Sequence, residues 1–294
     1  DGTFSRRLNP SHIYTQSGFF SVSLEIEFVN GCTDSLGFGD LINVGGAVGD
    51  IELSEDTGCT PLCITLDANS DGAVSHFWLF GDGAQQSGSD SVDHCYLDPG
   101  LFVPAVVLTD TQQPTCTYVL NSRDTVFADS VTAFFISDLD TVCQQSPVQF
   151  NDSSFAVINN NFIAWFWDFG DGSSDTIPNP IHSYNNGGSY TVQLTAVNDF
   201  GCSDIFERDI FVWEKTTADF FVSDSIGCDT LFTIIQDQSV AGDAPIVDWF
   251  WDFGITSSSS DTFRGQNPSP ILYRDTGQYI IELIVTDANG CIDT

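Results

Sequence analysis

Histidine is the residue type whose positions in this sequence most directly suggest chemistry. Three of the four histidines, His12, His94 and His182, fall at one position of a repeated pattern. A catalytic histidine needs a nucleophile or a carboxylate within hydrogen-bond reach. No Ser, Cys or Asp recurs directly beside these positions, and the last copy has Ile271 there. The pattern therefore predicts structural histidines bonded to a neighbouring turn, and no enzyme. The sequence also lacks Gly-x-Ser-x-Gly, His-Glu-x-x-His and phosphate-binding glycine motifs.

Oxygen ligands at alternate positions suggest a calcium loop. Asp67, Asn69 and Asp71 precede Gly72, as at the start of an EF-hand loop. The twelfth position is Trp78, where an EF-hand needs a bidentate glutamate, so the EF-hand interpretation fails. An isolated calcium site and a plain polar turn both remain open; calcium is the one cofactor that the sequence suggests.

Nine cysteines favour an oxidising, extracellular setting. A zinc site is the alternative, but Cys59 and Cys63 form a C-x₃-C pair without a matching second half. Seven of the nine cysteines recur with a period of about 85 residues, which indicates a repeat of that length. An early cysteine recurs at Cys59, Cys143 and Cys228, and a late cysteine recurs at Cys32, Cys116, Cys202 and Cys291.

An aromatic stretch that ends in glycines recurs with the same period. Gly170, Asp171 and Gly172 follow such a stretch, and His182 and Tyr184 come shortly after it. Trp and Phe suit a buried pleated face, and glycines supply the backbone angles of a tight turn. We therefore predict buried tryptophans at Trp78, Trp167 and Trp251. Apolar and polar residues alternate over 148–150, 190–197 and 279–285, which predicts strands there.

The order Trp-Asp-Phe-Gly-Asp-Gly, Pro-x-His-x-Tyr, Gly-x-Tyr-x-Val-x-Leu resembles the PKD (polycystic kidney disease) domain. The resemblance implies an all-β fold of tandem immunoglobulin-like β-sandwiches, which we expect to be arranged end to end as a rod. It places the C-terminal half of a repeat at 1–47, repeat 1 at 48–130, repeat 2 at 131–215 and repeat 3, lacking its last strand, at 216–294. The Gly-Cys-x-Asp ending of the repeats looks most like surface and gliding-associated proteins of Bacteroidetes-type bacteria.

The repeat phase suggests how the cysteines pair. It predicts Cys59–Cys116, Cys143–Cys202 and Cys228–Cys291, each closing a loop worth about 4 kcal/mol in the chain-entropy model. The two additional cysteines of repeat 1, Cys63 and Cys95, should bond to each other. Cys32 is left over and is expected to bond upstream.

Asp-Ser/Thr followed by a small aliphatic residue resembles the Bacteroidetes O-glycosylation acceptor. Asp and Ser are also common in turns, so an unmodified surface is the alternative. The candidate acceptors are Ser35, Ser91, Thr125, Ser130, Thr141, Thr176, Ser225 and Thr230.

Charge narrows the range of partners. Seven basic residues face 41 acidic ones, giving a formal charge of −34. Nucleic acid and anionic membranes are therefore poor partners, and no apolar run is long enough for membrane insertion. The chain has no methionine, and we expect an internal segment of an extracellular, cell-surface or secreted protein. Its first residues align with Asp171 and Gly172, which predicts either a window onto a longer repeat array or subunits that complete each other by strand exchange.

The sequence supports two functions. The first is a structural segment of a filament or adhesin stalk, with neighbouring repeats or other filament subunits as partners. The alternative is an accessory module of a secreted hydrolase that binds surface glycan or protein. Its contact candidates are Trp165, Trp213 and Trp249, although the strand pattern favours burial of Trp165 and Trp249.

Overall fold

The computed structural model describes residues 2–14, 18–44, 49–71, 73–110, 117–228, 230–255 and 261–294. Over these ranges the regular structure is β-strand, with no helix, which confirms the all-β prediction. Accordingly, the described part of the chain has no helix that could cross a membrane. The chain forms two compact units, one of residues 1–130, 156–160 and 199–202 and one of residues 131–155, 161–198 and 203–294.

The first unit begins with a long hairpin and continues into a sandwich. The hairpin strands, Gly18–Glu27 (β1) and Thr33–Val44 (β2), expose apolar side chains such as Leu24 and Phe38. The strands of the unit are Gly18–Glu27 (β1), Thr33–Val44 (β2), Glu52–Leu53 (β3), Thr57–Cys59 (β4), Leu62–Asp67 (β5), Ala73–Leu79 (β6), Gln85–Gly88 (β7), Ser91–Tyr96 (β8), Gly100–Phe102 (β9), Ala105–Asp110 (β10), Thr117–Asn121 (β11) and Val126–Asp129 (β12).

Repeat 1 is a β-sandwich built from three small sheets. Their strand orders are β11-β10-β6-β7, β3-β5-β8 and β4-β12-β9. Alternate residues of these strands face inward, because successive side chains of a strand point to opposite sides. The core includes Leu66, Trp78, Phe80, Tyr96 and Leu108, all essentially inaccessible to solvent.

The remaining strands build repeats 2 and 3. They are Val131–Thr132 (β13), Phe135–Ser137 (β14), Thr141–Cys143 (β15), Pro147–Asp152 (β16), Phe155–Ala156 (β17), Phe162–Asp168 (β18), Ser174–Asp175 (β19), Ile181–Ser183 (β20), Gly188–Asn198 (β21), Ser203–Trp213 (β22), Phe220–Val222 (β23), Leu231–Thr233 (β24), Ile235–Asp237 (β25), Ile246–Asp252 (β26), Thr262–Arg264 (β27), Ile271–Tyr273 (β28), Glu282–Asp287 (β29) and Ile292–Asp293 (β30).

Repeat 2 packs a five-stranded sheet, β15-β22-β21-β18-β19, against the sheet β14-β16-β20. Its core includes Phe135, Phe150, Trp167, Leu194 and Ile210. The last strand, β22, pairs antiparallel with residues 188–197 of β21 and parallel with β15. β22 is therefore hydrogen-bonded both to β15, near the beginning of the repeat, and to β21, near its end.

Repeat 3 has a smaller fully buried core, which includes Ile235, Trp251, Tyr273 and Val285. Its main sheet has the order β27-β26-β29-β30. Among the described residues the counterpart of β22 is the two-residue β30, which pairs with β29 as the start of β22 pairs with β21. The predicted strand 279–285 accordingly begins only at Glu282, since the preceding residues lack the partner that β22 provides in repeat 2.

The three cores fall one in each predicted repeat. The exact boundaries, the incomplete repeat at 1–47 and the end-to-end rod stay predictions. The boundary at residues 47 and 48 lies outside the described residues.

Candidate functional site: a repeated turn and the linked repeats

The Phe-Gly turn after the tryptophan strand packs closely against the backbone of a neighbouring segment in every repeat. Gly81, Gly170 and Gly254 have φ of +90°, +78° and +70°. A Cβ on Gly170 would lie 2.7 Å from the Thr191 carbonyl oxygen, and one on Gly254 would lie 2.5 Å from that of Ile280. Glycine is required for both reasons, the left-handed backbone and the close approach.

Buried aromatic side chains anchor this turn through hydrogen bonds. The Tyr96, Tyr184 and Tyr273 hydroxyls donate to the carbonyls of Phe80, Phe169 and Phe253 at 3.0, 3.3 and 3.1 Å. Burial raises the pKa of all three tyrosines, so the phenols stay protonated. The Trp78, Trp167 and Trp251 indoles, buried as the sequence predicts, likewise donate to backbone carbonyls at 2.9 to 3.1 Å.

The histidines of repeats 1 and 2 bond to the aspartate of this turn. His182 Nε2 lies 2.9 Å from Asp171 Oδ2, and its ring stacks on Phe169 with centroids 4.1 Å apart. In repeat 1, His94 Nε2 lies 2.7 Å from Asp82 Oδ2. The turn-bonded histidine was predicted. No carboxylate recurs directly beside these histidines in the sequence; the aspartate partner comes 11 or 12 residues earlier in the chain.

These pairs lower the pKa of the turn aspartates. Burial opposes ionisation of Asp171, but hydrogen bonds from Ser173 and His182 outweigh it. Burial likewise opposes ionisation of Asp82, whose pKa is lowered by His94 and the Ala84 amide. Both carboxylates are therefore held in their ionised form.

Two Ser-His-Asp clusters have a geometry unlike that of a catalytic triad. Ser70 Oγ and Asp90 Oδ1 both lie close to His76 Nε2, at 2.8 and 2.9 Å. In repeat 2, Ser173 and Asp171 also share one nitrogen of His182. A relay needs serine and aspartate on opposite ring nitrogens. These clusters consequently fix turns and do not activate a serine.

The predicted calcium ligands lie at the end of β5. The Asn69 amide donates to Asp67 Oδ1 at 3.0 Å, and Asn69 has φ of +41°. Asn69 and Asp71 are exposed. This is the geometry of a polar turn stabilised by its own carboxylate. Calcium binding here stays a prediction, and Gly72 lies outside the described residues.

The candidate glycosylation acceptors differ in accessibility. Thr125 and Ser130 are half-buried, and the Asp129 that precedes Ser130 is fully buried, accepting backbone hydrogen bonds from Ser130, Ile158 and Asn159. Glycosylation stays a prediction at all eight sites. The exposed acceptors are Ser35, Ser91, Thr141, Thr176, Ser225 and Thr230.

The described part of the chain contains three disulfides, and two of them differ from the predicted pairing. Cys63 and Cys95 are bonded as predicted, directly opposite each other on β5 and β8. Cys59, however, is bonded to Cys202. Cys143 is bonded to Cys291, so none of the three pairs predicted within single repeats is formed. Cys32 and Cys228 are free and exposed, and Cys116 lies outside the described residues.

The length of the last strand explains why the early and late cysteines of one repeat do not bond to each other. In repeat 2, Cys143 on β15 lies opposite Trp213, at the far end of β22, whereas Cys202 directly precedes the start of that strand. An 11-residue strand spans roughly 35 Å, and a disulfide requires Cα atoms within about 7 Å. The early and late cysteines of one repeat thus lie at opposite ends, and each bonds to the adjacent repeat.

The Gly-Cys-x-Asp ending serves both sides of a repeat junction. Cys202 and Cys291 bond to the preceding repeat, and the aspartates two residues later bond to the start of their own repeat. Asp204 accepts from the Ala133 amide at 2.9 Å, and Asp293 accepts from the Ala218 amide at 2.8 Å. No role was predicted for the aspartate of this ending. Its recurrence with three of the four late cysteines, Cys32, Cys202 and Cys291, was the available signal.

The segment between repeats 2 and 3 is held by hydrogen bonds. Lys215 Nζ lies 2.8 Å from Asp293 Oδ1 and helps to lower the pKa of that carboxyl against the effect of burial. The Glu214 amide donates to the Asp243 carboxylate, and the Asp243 amide donates to the Glu214 carbonyl. The buried Thr216 hydroxyl donates to the Val240 carbonyl at 2.8 Å.

Two of the three candidate contact tryptophans are structural. The Trp165 and Trp249 indoles donate to Asp152 and Asp237 at 2.8 and 2.9 Å, and both rings pack against a core. Trp213 is half-buried at the end of β22. It is the member of this set that stays a candidate for binding.

Comparison with known proteins identifies one domain and several relatives. Residues 133–211 match the family model described as PKD domain, so the chain contains a PKD domain there. The pre-pro-metalloprotease PrtV of Vibrio cholerae is 29% identical over 136 residues, which are 46% of this chain and 14% of that protein. Collagenase ColA of Bacillus cereus is 39% identical over 54 residues, 18% of this chain and 6% of that protein.

A solved PKD domain is also similar to part of this chain. The PKD1 domain of Vibrio cholerae PrtV is 31% identical and covers 28% of this chain and 96% of that domain, with a TM-score of 0.26. The chain spans only 14% of the length of the metalloprotease and 6% of that of the collagenase. The narrower resemblance to Bacteroidetes-type surface proteins stays a prediction.

Proposed function

We propose that this chain is a non-catalytic structural segment of an extracellular protein, in which consecutive PKD-like repeats are linked covalently to form a filament or stalk. The observation that carries the proposal is the Cys143–Cys291 disulfide, which joins the beginning of repeat 2 to the end of repeat 3. A disulfide within each repeat would stabilise that repeat alone. One between repeats transmits force from one repeat to the next.

Hydrogen bonds beside this disulfide support the same role. A flexible linker leaves its backbone groups to water, whereas Glu214 to Thr217 bond to residues 240–243 and to Asp293. A Cβ on Gly242 would lie 2.1 Å from the Glu214 carbonyl oxygen, so the loop of repeat 3 packs closely on the segment. Covalent and polar contacts thus restrain the same junction.

The chemistry of the chain suits a location outside the cell. Disulfides between repeats persist where thiols are oxidised. The charge of −34 favours solubility and repels anionic surfaces. The exposed Asp-Ser/Thr triplets would allow glycans to cover such a segment.

The alternative is an accessory binding module of a secreted hydrolase. It is favoured by the relatives, which are a metalloprotease and a collagenase. Under this proposal the half-buried Trp213 would contact glycan or collagen-like protein. Trp213→Ala would then abolish the retention of the wild-type chain on collagen fibres or on a glycan array.

Hydrogen–deuterium exchange of the oxidised chain tests the structural proposal. We expect Cys143→Ser to raise exchange at 213–217 and 240–243, because the junction loses its covalent restraint. Cys63→Ser with Cys95→Ser, which removes the bond inside repeat 1, should leave exchange at those residues unchanged. Equal exchange in the wild type and Cys143→Ser would refute the structural role.

A further inference from the structure

The bonded cysteines follow a rule that two free cysteines could also satisfy. In both disulfides that link repeats, an early cysteine is bonded to the late cysteine of the following repeat, 143 and 148 residues further along. Cys228 is the early cysteine of repeat 3, and Cys32 is the late cysteine of residues 1–47. Both are free and exposed. Among the described residues, one early and one late cysteine are therefore unused.

The turn that contains Cys32 has the same backbone hydrogen bonds as the turn that contains the bonded Cys291. The Phe28 amide donates to the Cys32 carbonyl at 2.8 Å, and the Gly31 amide donates to that of Phe28 at 2.8 Å. Asp287, Gly290 and Cys291 make the corresponding two hydrogen bonds at 3.0 Å each. The preceding glycines have φ of +78° and +87°. The backbone that presents the late cysteine is thus already formed around Cys32.

The surroundings of Cys228 are open, unlike those of its equivalents. Cys59 and Cys143 lie on β4 and β15, each paired with the last strand of its own repeat, and are half-buried. Cys228 lies outside a strand, and a cavity of about 640 Å³ is lined by its neighbours Ile226, Gly227 and Thr230. This end of repeat 3 is accessible to another protein segment.

We propose that Cys228 of one chain forms a disulfide with Cys32 of a second copy, so that chains join head to tail with the pairing used inside the chain. The inference rests on the proposed structural function and names its partner. A disulfide such as oxidised glutathione is the oxidant: the Cys228 thiolate displaces one of its thiols, and the Cys32 thiolate then displaces the second. Each cysteine loses one proton, and the oxidant gains the two electrons as two thiols.

Oxidation of the full chain in a glutathione buffer tests this pairing. Cys32→Ser, Cys228→Ser and an equimolar mixture of the two, all carrying Cys116→Ser, are compared with the Cys116→Ser chain on non-reducing gels and by peptide mapping. The Cys116→Ser chain should form a series of oligomers, each further variant should stay monomeric, and the mixture should stop at the dimer. The Cys228–Cys32 bond should exceed either homodisulfide about tenfold, because docking raises the effective concentration of that pair.

Random pairing would overturn the inference. Cys228–Cys228 and Cys32–Cys32 bonds at statistical frequency, dimers of either single variant, or monomers alone in the mixture would each show that the two cysteines do not recognise each other. The same digests report the Cys143–Cys291 bond. Its absence would count against the proposed function, whereas its presence without Cys228–Cys32 would defeat this inference alone.

Discussion

Asp171 and His182 form a polar pair beside Phe169, and repeat 3 replaces both members with isoleucine. Ile255 and Ile271 occupy the two equivalent positions and pack against the core of repeat 3. A carboxylate without its imidazole would be a partly buried charge short of one donor, and an imidazole without its carboxylate would lose its acceptor. The joint replacement therefore keeps the turn packed without leaving an unpaired polar group.

Replacing one member of the pair should cost more than replacing both. We expect His182→Ala to destabilise repeat 2 by about 1–3 kcal/mol, through the lost hydrogen bond to a charged group and the lost stacking on Phe169. Asp171→Ile with His182→Ile should be more stable than the sum of the single changes predicts. Hydrogen exchange of the β18 and β21 amides measures this. Additive effects would contradict the coupling.

The same pair predicts how acid affects repeat 2. Because the folded pKa of Asp171 lies below the usual value near 3.8, its ionised form stabilises the fold above that pH, and this contribution is lost as the pH falls through the folded pKa. The double isoleucine variant should lack this part of the acid dependence. An unchanged acid transition of repeat 2 in that variant would show that the pair does not contribute to it.

At the scale of elements, the last strand determines whether a repeat is complete. Ile210 and Val212 of β22 are fully buried in repeat 2 and pair with Tyr190 and Gly188. The corresponding part of repeat 3, Gly277–Ile281, is not a strand and lines cavities of about 540 and 640 Å³. The backbone of this segment thus lacks the strand partner that β22 provides in repeat 2.

A peptide with the sequence of β22, residues 203–213, should therefore bind repeat 3. We expect added protection of amides 279–283 and a higher melting temperature, because the peptide restores backbone pairing and buries two apolar side chains. The control peptide carries Ile210→Asp and Val212→Asp. Equal protection by both peptides would show that the groove does not select the alternating apolar pattern.

Local pattern predicted the parts of the fold that depend on neighbouring residues. The alternation over 190–197 and the spacing of Trp78, Trp167 and Trp251 reflect burial, and the structure has strands and cores there. The partner of His182 and the partners of Cys59 and Cys143 depend on which strand ends meet. Equal spacing of cysteines shows that repeats are equivalent, but it does not tell whether a bond stays within one repeat.

For the whole molecule, the two disulfides between repeats close loops that overlap. Cys59–Cys202 spans residues 59–202, and Cys143–Cys291 spans residues 143–291. Force applied at the two ends must cross the first bond, return along residues 202 to 143 and cross the second. Only about 120 of the 294 residues can then be extended. Unfolding of a repeat under load would release little length.

Single-molecule stretching of the full chain should show this limit. At roughly 3.5 Å per residue, the oxidised chain should extend to roughly 400 Å and the reduced chain to roughly 1,000 Å. Cys63→Ser with Cys95→Ser should not change the oxidised length, because that bond lies within the segment that the force bypasses. Cys228→Ser should also leave it unchanged, whereas a Cys228–Cys291 bond would make this variant roughly 200 Å longer. Such a lengthening, or an oxidised chain that reaches the reduced length, would contradict the pairing between repeats and with it the proposed structural function.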